Sequence, residues 1–426
     1  RRKISLFLLL PRKLTMNKDK VLSIVTLESI FVATFFLPLK TSLSNIGLII
    51  LIATTIISFF KNGINLKGSI ASFLLFSCTV FFLPLVWGIV YSPEINEAFE
   101  ELGKYALLGV TPLFLFRKDI NAEKFRKHAA LGLLIGVIIC SLLLLIINFY
   151  KFSQSDYPLH WLFNYNFTSN NFIEPLGNMH PIYMGMYFSL ALAILLFTKL
   201  KINNWFKGIG FLLISLSIIF LASRIIYGIL ILLILLYLLH NLSFKVFAVI
   251  VTGVIILFAL IFNQLKKTYV FNKTVNGTLW ELSDNIGTYN TSNSQKVDSR
   301  WSRWLVALEA IKEKPLLGYG GGVENEVLLE KYKEYKMNNS ISQEYNAHNQ
   351  YLGFAIRFGI FGALLLLVYF IKNGVTAFRH QNLLFLSFLT ILFWCFMVEN
   401  ILDRNMGINF VAVFGTLFYA EYLNEK

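Results

Sequence analysis

Charged side chains are scarce in this sequence. Only 15% of its 426 residues are Asp, Glu, Lys or Arg, against roughly 25% in an average soluble domain. Apolar residues make up 56% of the chain, and apolar runs of about 17 to 25 residues, long enough to cross the hydrocarbon core of a bilayer, recur along it. The composition therefore predicts an all-α polytopic membrane protein rather than a soluble domain.

Cysteine is also rare. Cys78, Cys140 and Cys395 all fall within predicted membrane spans, where a free thiol behaves as a small apolar residue. The sequence has no C-x-x-C or Cys/His pair to hold a zinc ion, and no acidic pair is placed clearly enough to bind Mg²⁺ or Mn²⁺. We therefore expect no disulfide framework, no metal and no other cofactor.

Regular alternation of apolar and polar residues is absent from the long runs, which are apolar on every side. They therefore predict helices rather than the strands of a membrane barrel. Twelve spans are predicted, at about 21–39, 44–60, 69–91, 103–117, 129–149, 181–200, 207–223, 225–240, 245–263, 349–371, 382–398 and 407–421. The stretch before Met16 is too short to span a bilayer, and we interpret it as a start-site artefact.

The net charge of +14 is distributed in a way that argues against nucleic acid as a partner. Lys and Arg concentrate in alternate loops, as the positive-inside rule requires of a membrane protein. This distribution predicts that both termini are cytoplasmic and that the long segment 264–348 lies outside. The chain then divides into an N-terminal bundle of about nine spans (1–263), an external loop domain (264–348) and about three C-terminal spans (349–426).

The external segment has helical patterns of its own. "DSRWSRWLVALEAIKEKP", residues 298–315, has apolar residues three or four apart and ends at Pro315. "LLGYGGG" then predicts a glycine-rich turn. A second, charged helix is predicted in "ENEVLLEKYKEYK", residues 324–336, before the chain re-enters the membrane near His348.

The predicted topology brings polar groups from distant parts of the sequence to one membrane face. These groups are His180, Arg224, Arg300, Arg303, His348, Glu399, Asp403 and Arg404. Arginines at a membrane surface present planar donors that suit phosphate oxygens, and histidine is the natural proton acceptor near neutral pH. The set suggests chemistry on an anionic, phosphate-containing substrate.

Several of these residues also have a purely structural interpretation. Arg224 could be a charge that reaches the interface from a helix end, and Arg303, beside two tryptophans, could stack on an aromatic ring. His180 precedes Pro181 and could cap a helix. His348 could be an ordinary interface histidine, and the pair at 403–404 could close a tight turn.

Arg357 differs from the others because it lies nine residues beyond His348, roughly 13 Å into the predicted span. Exposure of an arginine to lipid at that depth would cost several kcal/mol. It must therefore face a cavity or a partner, and a carboxylate such as Glu399 is one candidate.

The run "SRWSRWLVALEAIKEKPLLGYGGG" and the later "NAHNQYLGFAIRFGIFG" resemble the signature of the O-antigen ligase and polymerase superfamily. That signature has an Arg, a Trp four residues on, a Pro-Leu-x-Gly-x-Gly turn, and then His-Asn-x-x-Leu leading into a helix with glycine. "SRIIYG" (223–228), "NMHPIYMGMY" (178–187) and "ENILDRNMG" (399–407) add to the resemblance. It covers roughly residues 170–426, and the first 150 residues only by hydropathy.

The resemblance implies a GT-C-like membrane glycosyltransferase that needs no metal and has an external cavity capped by the long loop. Position by position it assigns catalytic roles to Arg224, Arg300 and His348. The substrate-binding residues that we predict are His180, Arg303, Trp304, Asn349, Glu399 and Arg404. One departure is that Ile225 and Ile226 follow Arg224 where many relatives have glycine.

The donor implied by the resemblance is a glycan on undecaprenyl pyrophosphate, used at the periplasmic face of a bacterial inner membrane. The acceptor would be the lipid A core in a ligase, or another lipid-linked repeat unit in a polymerase; an acceptor glycoprotein is a third possibility. The His-Asn arrangement and the long loop favour the ligase. A secondary transporter or lipid flippase is the alternative from another class, although no repeat of transporter type is visible.

Overall fold

The computed structural model describes residues 18–65, 68–119, 121–177, 179–198, 203–281, 288–289 and 296–419. The first helices are α1 (Lys18–Phe36), α2 (Thr41–Asn62), α3 (Gly68–Tyr91), α4 (Ile95–Val110), α5 (Ala122–Ser153), α6 (Asn170–Ile173), α7 (Pro181–Phe197), α8 (Asn204–Leu221), α9 (Arg224–Asn241) and α10 (Phe244–Leu265). The stretch before Met16 and the ends of the predicted spans 181–200 and 407–421 lie outside the described residues.

The described residues of the long segment that follows α10 form shorter elements. They are α11 (Tyr269–Thr274), α12 (Asn276–Glu281), the antiparallel strands β1 (Thr288–Tyr289) and β2 (Lys296–Val297), α13 (Arg300–Glu313), α14 (Glu324–Glu334) and α15 (Asn338–Ser342). The last helices are α16 (Gln350–Arg379), α17 (Leu383–Phe396), α18 (Asn405–Phe410) and α19 (Thr416–Tyr419). A π-helical turn, Val411–Gly415, joins α18 to α19.

Six of the described helices are long and apolar enough to cross a membrane. They are α2, residues 72–91 of α3, α5, α8, α9 and α16, and the count rises to seven if the bent pair formed by Tyr165–Leu176 and α7 is a single span. Phe244–Leu260, Leu383–Phe396 and Asn405–Tyr419 are shorter apolar helices. The chain is therefore a multi-pass helical membrane protein, and the count of twelve spans stays a prediction.

The predicted span 103–117 is wrong as a continuous helix. α4 begins earlier, at Ile95, and ends at Val110, and a 3-10 turn, Thr111–Phe116, follows it. Pro112 lies at the start of that turn, where its ring and missing N–H prevent the α-helix from continuing.

α7 lies at the centre of the bundle. Every residue from Pro181 to Leu195 is buried, and the helix packs against α5, α8, α9 and α17. A helix that is apolar on all sides is suited to such a buried position. The residue before α7, His180, therefore lies where several helix ends meet.

α16 is broken at Gly359, which has φ 69° and ψ −173°. The break leaves backbone groups of α16 without partners inside the helix. The glycine-rich turn before α14 provides hydrogen-bond partners for these groups. Its hydrogen bonds are Tyr319 N–H to Ile356 O (2.8 Å), Gly320 N–H to Arg357 O (2.9 Å) and, in the other direction, Ile360 N–H to Pro315 O (2.8 Å). Polar backbone groups at membrane depth need partners of this kind, so the turn completes the helix.

The other side of the same turn packs on the junction of α3 and α4. Gly321 N–H donates to Gly88 O (3.2 Å), and the Ser92 hydroxyl donates to Gly321 O (2.7 Å). Gly322 N–H donates to a carboxylate oxygen of Glu101 on α4 (2.8 Å). The turn is therefore wedged between two helical layers.

The two helices predicted in the long segment are confirmed as α13 and α14. The Ser299 hydroxyl caps α13 by accepting from Ser302 N–H at 3.0 Å, and α13 ends just before Pro315. α13 packs against α14 and α16, and so the long segment is anchored on the last long helix of the bundle.

Candidate functional site

One cavity, of about 570 Å³, lies where the ends of α7, α8, α9 and α13 meet. Its wall includes the side chains of His180, Arg224, Lys273 and Arg300. These residues come from four different segments of the chain, and three of them, Arg224, Arg300 and His180, are among the groups predicted to meet at one membrane face. The cavity is large enough for part of a small-molecule ligand, and its charged wall suits an anion.

Arg224 occupies the first turn of α9, after a sharp bend in the chain. Ala222 ends α8 in the left-handed region with φ 47°, and the bend directs the next residues into the cavity wall. The Arg224 guanidinium donates to the Thr278 hydroxyl of α12 at 3.4 Å. The structure thus joins this arginine to the start of the long loop segment.

Ile226, the second of the two isoleucines that follow Arg224, is accommodated by α7. Ile226 is buried, and a Cβ on Gly185 would lie only 2.4 Å from its side chain. The glycine on α7 therefore provides the space that Ile226 fills.

Arg300 begins α13, and Trp301 and Trp304 of the same helix also line the cavity. The Trp304 indole N–H donates to the carbonyl of Ala347 at 3.1 Å. This bond ties the cavity wall to the residue that precedes His348.

His348 is held by Glu399. Its Nδ1 lies 3.3 Å from Glu399 Oε2, and the imidazole is 20% exposed while the Glu399 side chain is 7% exposed. An ionised carboxylate can only accept, so Nδ1 is the donor and a neutral imidazole keeps its lone pair on Nε2. His348 does not line the cavity itself, but it adjoins the wall through Ala347 on one side and through Val398, which precedes Glu399, on the other.

The charges around Glu399 keep it ionised. Burial raises the pKa of this carboxyl, but the hydrogen bond from His348, the charges that His348 and His180 carry when protonated, and the charge of Arg300 outweigh burial and lower the pKa to about 2. Glu399, predicted as a substrate-binding residue, is thus the orienting partner of the histidine.

His180 both caps a helix and lines the cavity. Its Nδ1 accepts from Ile182 N–H at 3.4 Å, which confirms the capping interpretation. Burial lowers the pKa of His180 to about 4, with the Glu399 charge opposing the effect. The ring is therefore neutral at pH 7, with its proton on Nε2.

Three predicted substrate-binding residues have other contacts. Arg303 is buried with its guanidinium 4.4 Å from the centre of the Tyr345 ring, which confirms the stacking interpretation. The Asn349 side chain caps α16 by accepting from two backbone N–H groups, at 3.0 and 3.2 Å. Arg404 is exposed at the start of α18. None of the three lines the cavity, whereas Trp304 does, and substrate contact by these three stays a prediction.

Lys273 is a functional candidate that no motif in the sequence predicts. It lies on α11, and its ammonium donates to the Ser169 hydroxyl at 2.8 Å. Both residues line the cavity. The local sequence gives no reason to prefer Lys273 to Lys266 or Lys267. The packing of α11 is what places Lys273 in the cavity wall.

Arg357 is paired with carboxylates other than Glu399. Its guanidinium forms ion pairs with Glu101, with Glu324 (Nε to Oε2, 3.3 Å) and with Asp403 (3.3 Å). The suggested pairing with Glu399 is therefore wrong. Asp403 likewise pairs with Arg357 rather than with its neighbour Arg404, because the turn 401–403 packs against α4 and so faces this cluster.

Residues 209–367 match the family model of O-antigen ligases. No curated protein matches the chain. The matched segment contains Arg224, Lys273, Arg300 and His348, and it supports the resemblance to the O-antigen ligase and polymerase superfamily. It supports, in general terms, a glycosyltransferase-like membrane enzyme whose partners are lipid-linked glycans and membrane lipid.

Proposed function

We propose that this chain, whose residues 209–367 match the O-antigen ligase family, is an O-antigen ligase of the bacterial inner membrane. It would transfer a glycan from undecaprenyl pyrophosphate to the lipid A core of lipopolysaccharide at the periplasmic face, without a metal and with inversion of the anomeric carbon. The observation that carries the proposal is a single cavity lined by Arg224, Lys273 and Arg300 beside a histidine held by Glu399.

The three cations would bind the diphosphate of the donor. Each guanidinium offers a planar set of donors to phosphate oxygens, and the lysine adds a point charge. When the bond between the sugar and the diphosphate breaks, the leaving diphosphate gains one negative charge. The contacts therefore strengthen in the transition state, which is the condition for acceleration of the chemical step.

His348 would act as the general base. Its Nε2 takes the proton of the acceptor hydroxyl while that oxygen attacks the anomeric carbon from the face opposite the diphosphate. The carbon–oxygen bond to phosphate breaks, and its electron pair leaves with the diphosphate. Glu399 stabilises the imidazolium that forms, in the way that a buried carboxylate supports a catalytic histidine. One displacement gives inversion.

The apolar part of the cavity suits the lipid chain of the donor. It is lined by Leu221 at the end of α8, Ile225 of α9 and Val398, which follows α17. An isoprenoid that entered between helices would leave its diphosphate beside the three cations.

Ligase and polymerase share this donor chemistry and differ in the acceptor. Purified protein is incubated with a lipid-linked oligosaccharide and EDTA, with and without lipid A core. Glycan on lipid A core supports the ligase, whereas lengthened lipid-linked chains assign the polymerase. Transfer to neither acceptor would overturn the proposed function.

Two matched pairs of variants connect that assay to the site. His348→Ala is expected to abolish transfer, while His240→Ala, an exposed histidine at the far end of α9, keeps it. Arg300→Lys is expected to lose most of the activity, whereas the same change at Arg379, an exposed arginine at the end of α16, keeps it.

The transporter alternative loses its main support in the surroundings of Arg357. A charge at membrane depth needs partners inside the bundle, and Arg357 has three carboxylate partners, so its depth is accounted for without a transport pathway. Cysteine labelling separates the two classes: access to positions 300 and 348 from the external side alone supports the enzyme, and access that alternates between sides supports transport.

A further inference from the structure

The turn that carries His348 adopts a backbone conformation that needs support. His348 has φ 46°, a left-handed value that costs a non-glycine residue free energy and persists only where its surroundings impose it. His348 N–H bonds only locally, to the Asn346 side chain at 3.0 Å. The supporting contacts must therefore come from the residues on either side.

Glu324 and Asn400 bind the backbone on both sides of His348. Glu324 Oε1 accepts from Ala347 N–H (3.2 Å) and from the Asn400 side-chain amide (2.8 Å). The oxygen of that amide accepts from Asn349 N–H (2.9 Å). The residues before and after the histidine are thus fixed by one connected pair of side chains.

Arg357 forms an ion pair with the Glu324 carboxylate from the other side. Its Nε lies 3.3 Å from Glu324 Oε2, and both side chains are almost completely buried. A buried carboxylate without a cationic partner is strongly unfavourable, so the arginine is what allows Glu324 to occupy this place.

Gly353 on α16 makes room for the arrangement. A Cβ at Gly353 would lie 2.6 Å from Glu324 Oε2 and 2.9 Å from the Asn400 amide nitrogen. The helix surface is therefore shaped to admit the two side chains that hold the turn.

We propose that Glu324, oriented by Arg357, is a positioning residue that holds the left-handed turn and so directs the His348 imidazole towards Glu399 and the cavity. Glu324 lies on α14 of the long segment, and Arg357 lies on α16 of the bundle. The link explains why an arginine stands at this depth. The catalytic consequence rests on the proposed function, but the position of the imidazole does not.

The first test measures the position of His348 without any substrate. Diethyl pyrocarbonate is reacted with the purified protein, and mass spectrometry follows the modification rate of His348 relative to exposed His240. Glu324→Ala is expected to raise that rate several-fold, because loss of the turn frees the imidazole from Glu399. Glu326→Ala, an exposed carboxylate on the same helix, is the matched control and leaves it unchanged.

A second pair of variants keeps the test decisive if Glu324→Ala fails to fold. Glu324→Gln retains an acceptor for Ala347 N–H but loses the ion pair, and Asn400→Ala removes the link to Asn349. Both are expected to raise the His348 modification rate. A rate equal to that of Glu326→Ala in the folded variants would overturn the proposal.

The kinetic test separates positioning from general loss of structure. In Glu324→Ala we expect kcat to fall about a hundredfold, the cost of a small misplacement of a catalytic group, while the affinity for the lipid-linked donor stays unchanged. A fall in donor affinity with kcat retained would contradict the proposal. If the wild type transfers no glycan, the proposed function fails, and the modification rates still decide the role of Glu324.

Discussion

The Glu399 carboxylate accepts a hydrogen bond from Nδ1–H of His348 across 3.3 Å, and this pairing fixes which nitrogen can act as a base. Glu399→Gln retains an acceptor but removes the charge that stabilises the imidazolium. We expect kcat to fall by about a hundredfold or more, with donor binding unchanged. Measurement of kcat and of donor affinity in the two proteins checks this, and unchanged kcat would exclude the assigned role.

The same carboxylate makes stability depend on pH. Its pKa is about 2 in the folded protein and 4.5 as the ordinary value, so the unfolded chain binds more protons between these values. Glu399 therefore stabilises the fold above pH 4.5, and the contribution, on the order of 3 kcal/mol, is lost as the pH falls from 4.5 to 2. Thermal unfolding in detergent across this range should show a smaller loss in Glu399→Gln than in the wild type; an equal loss contradicts the prediction.

Replacement of either cavity arginine should weaken transfer even when the charge is kept. Arg224→Lys and Arg300→Lys each lose bidentate hydrogen bonds to phosphate, which are worth roughly 1.5–3 kcal/mol. This corresponds to a ten- to hundredfold loss, at about 1.4 kcal/mol for each factor of ten. The kcat/KM for the lipid-linked donor measures the loss, and Arg379→Lys should equal the wild type.

Lys273 should matter most for the product. The released diphosphate carries one more negative charge than the donor, so a third cation favours the product and the transition state. Lys273→Ala is expected to weaken inhibition by undecaprenyl pyrophosphate about tenfold, more than it weakens donor binding. Lys266→Ala, exposed on the same segment, is the control, and equal inhibition of the two variants would remove Lys273 from the site.

The break in α16 should tolerate no side chain. A Cβ on Gly359 would lie 1.9 Å from the Leu316 carbonyl oxygen, and its φ of 69° disfavours other residues. Gly359→Ala should lower the free energy of unfolding by about 3 kcal/mol or more. Gly374→Ala on the same helix, where a Cβ meets nothing within 4 Å, should be neutral or slightly stabilising. Thermal unfolding of both variants decides the point.

Local patterns predicted the helices and three of the four ionisable groups in the cavity wall. The short motifs that contain Arg224, Arg300 and His180 lie next to helix ends. Helix ends can be recognised from local sequence patterns. Span counting was less successful, because apolar runs such as 383–396 do not reveal whether a helix is long enough to cross a bilayer.

The partners of the charged residues could not be read from the chain. Glu101 lies 256 positions from Arg357, and the two meet where the glycine-rich turn contacts both Glu101 of α4 and the Arg357 carbonyl of α16. Any carboxylate can pair with an arginine, and the sequence does not show which one lies near Arg357. Glu399 was therefore one candidate. The roles of Glu324 and Lys273 depend in the same way on contacts between distant segments.

The glycine-rich turn completes the hydrogen bonding of α16 where that helix is interrupted. The long segment 264–348 and the helix that follows it are consequently joined by backbone hydrogen bonds, although they look like separate modules in the sequence. A chimaera that took this segment from a relative would also have to take the part of α16 around its break. Otherwise the backbone groups of the transplanted turn would lack their hydrogen-bond partners.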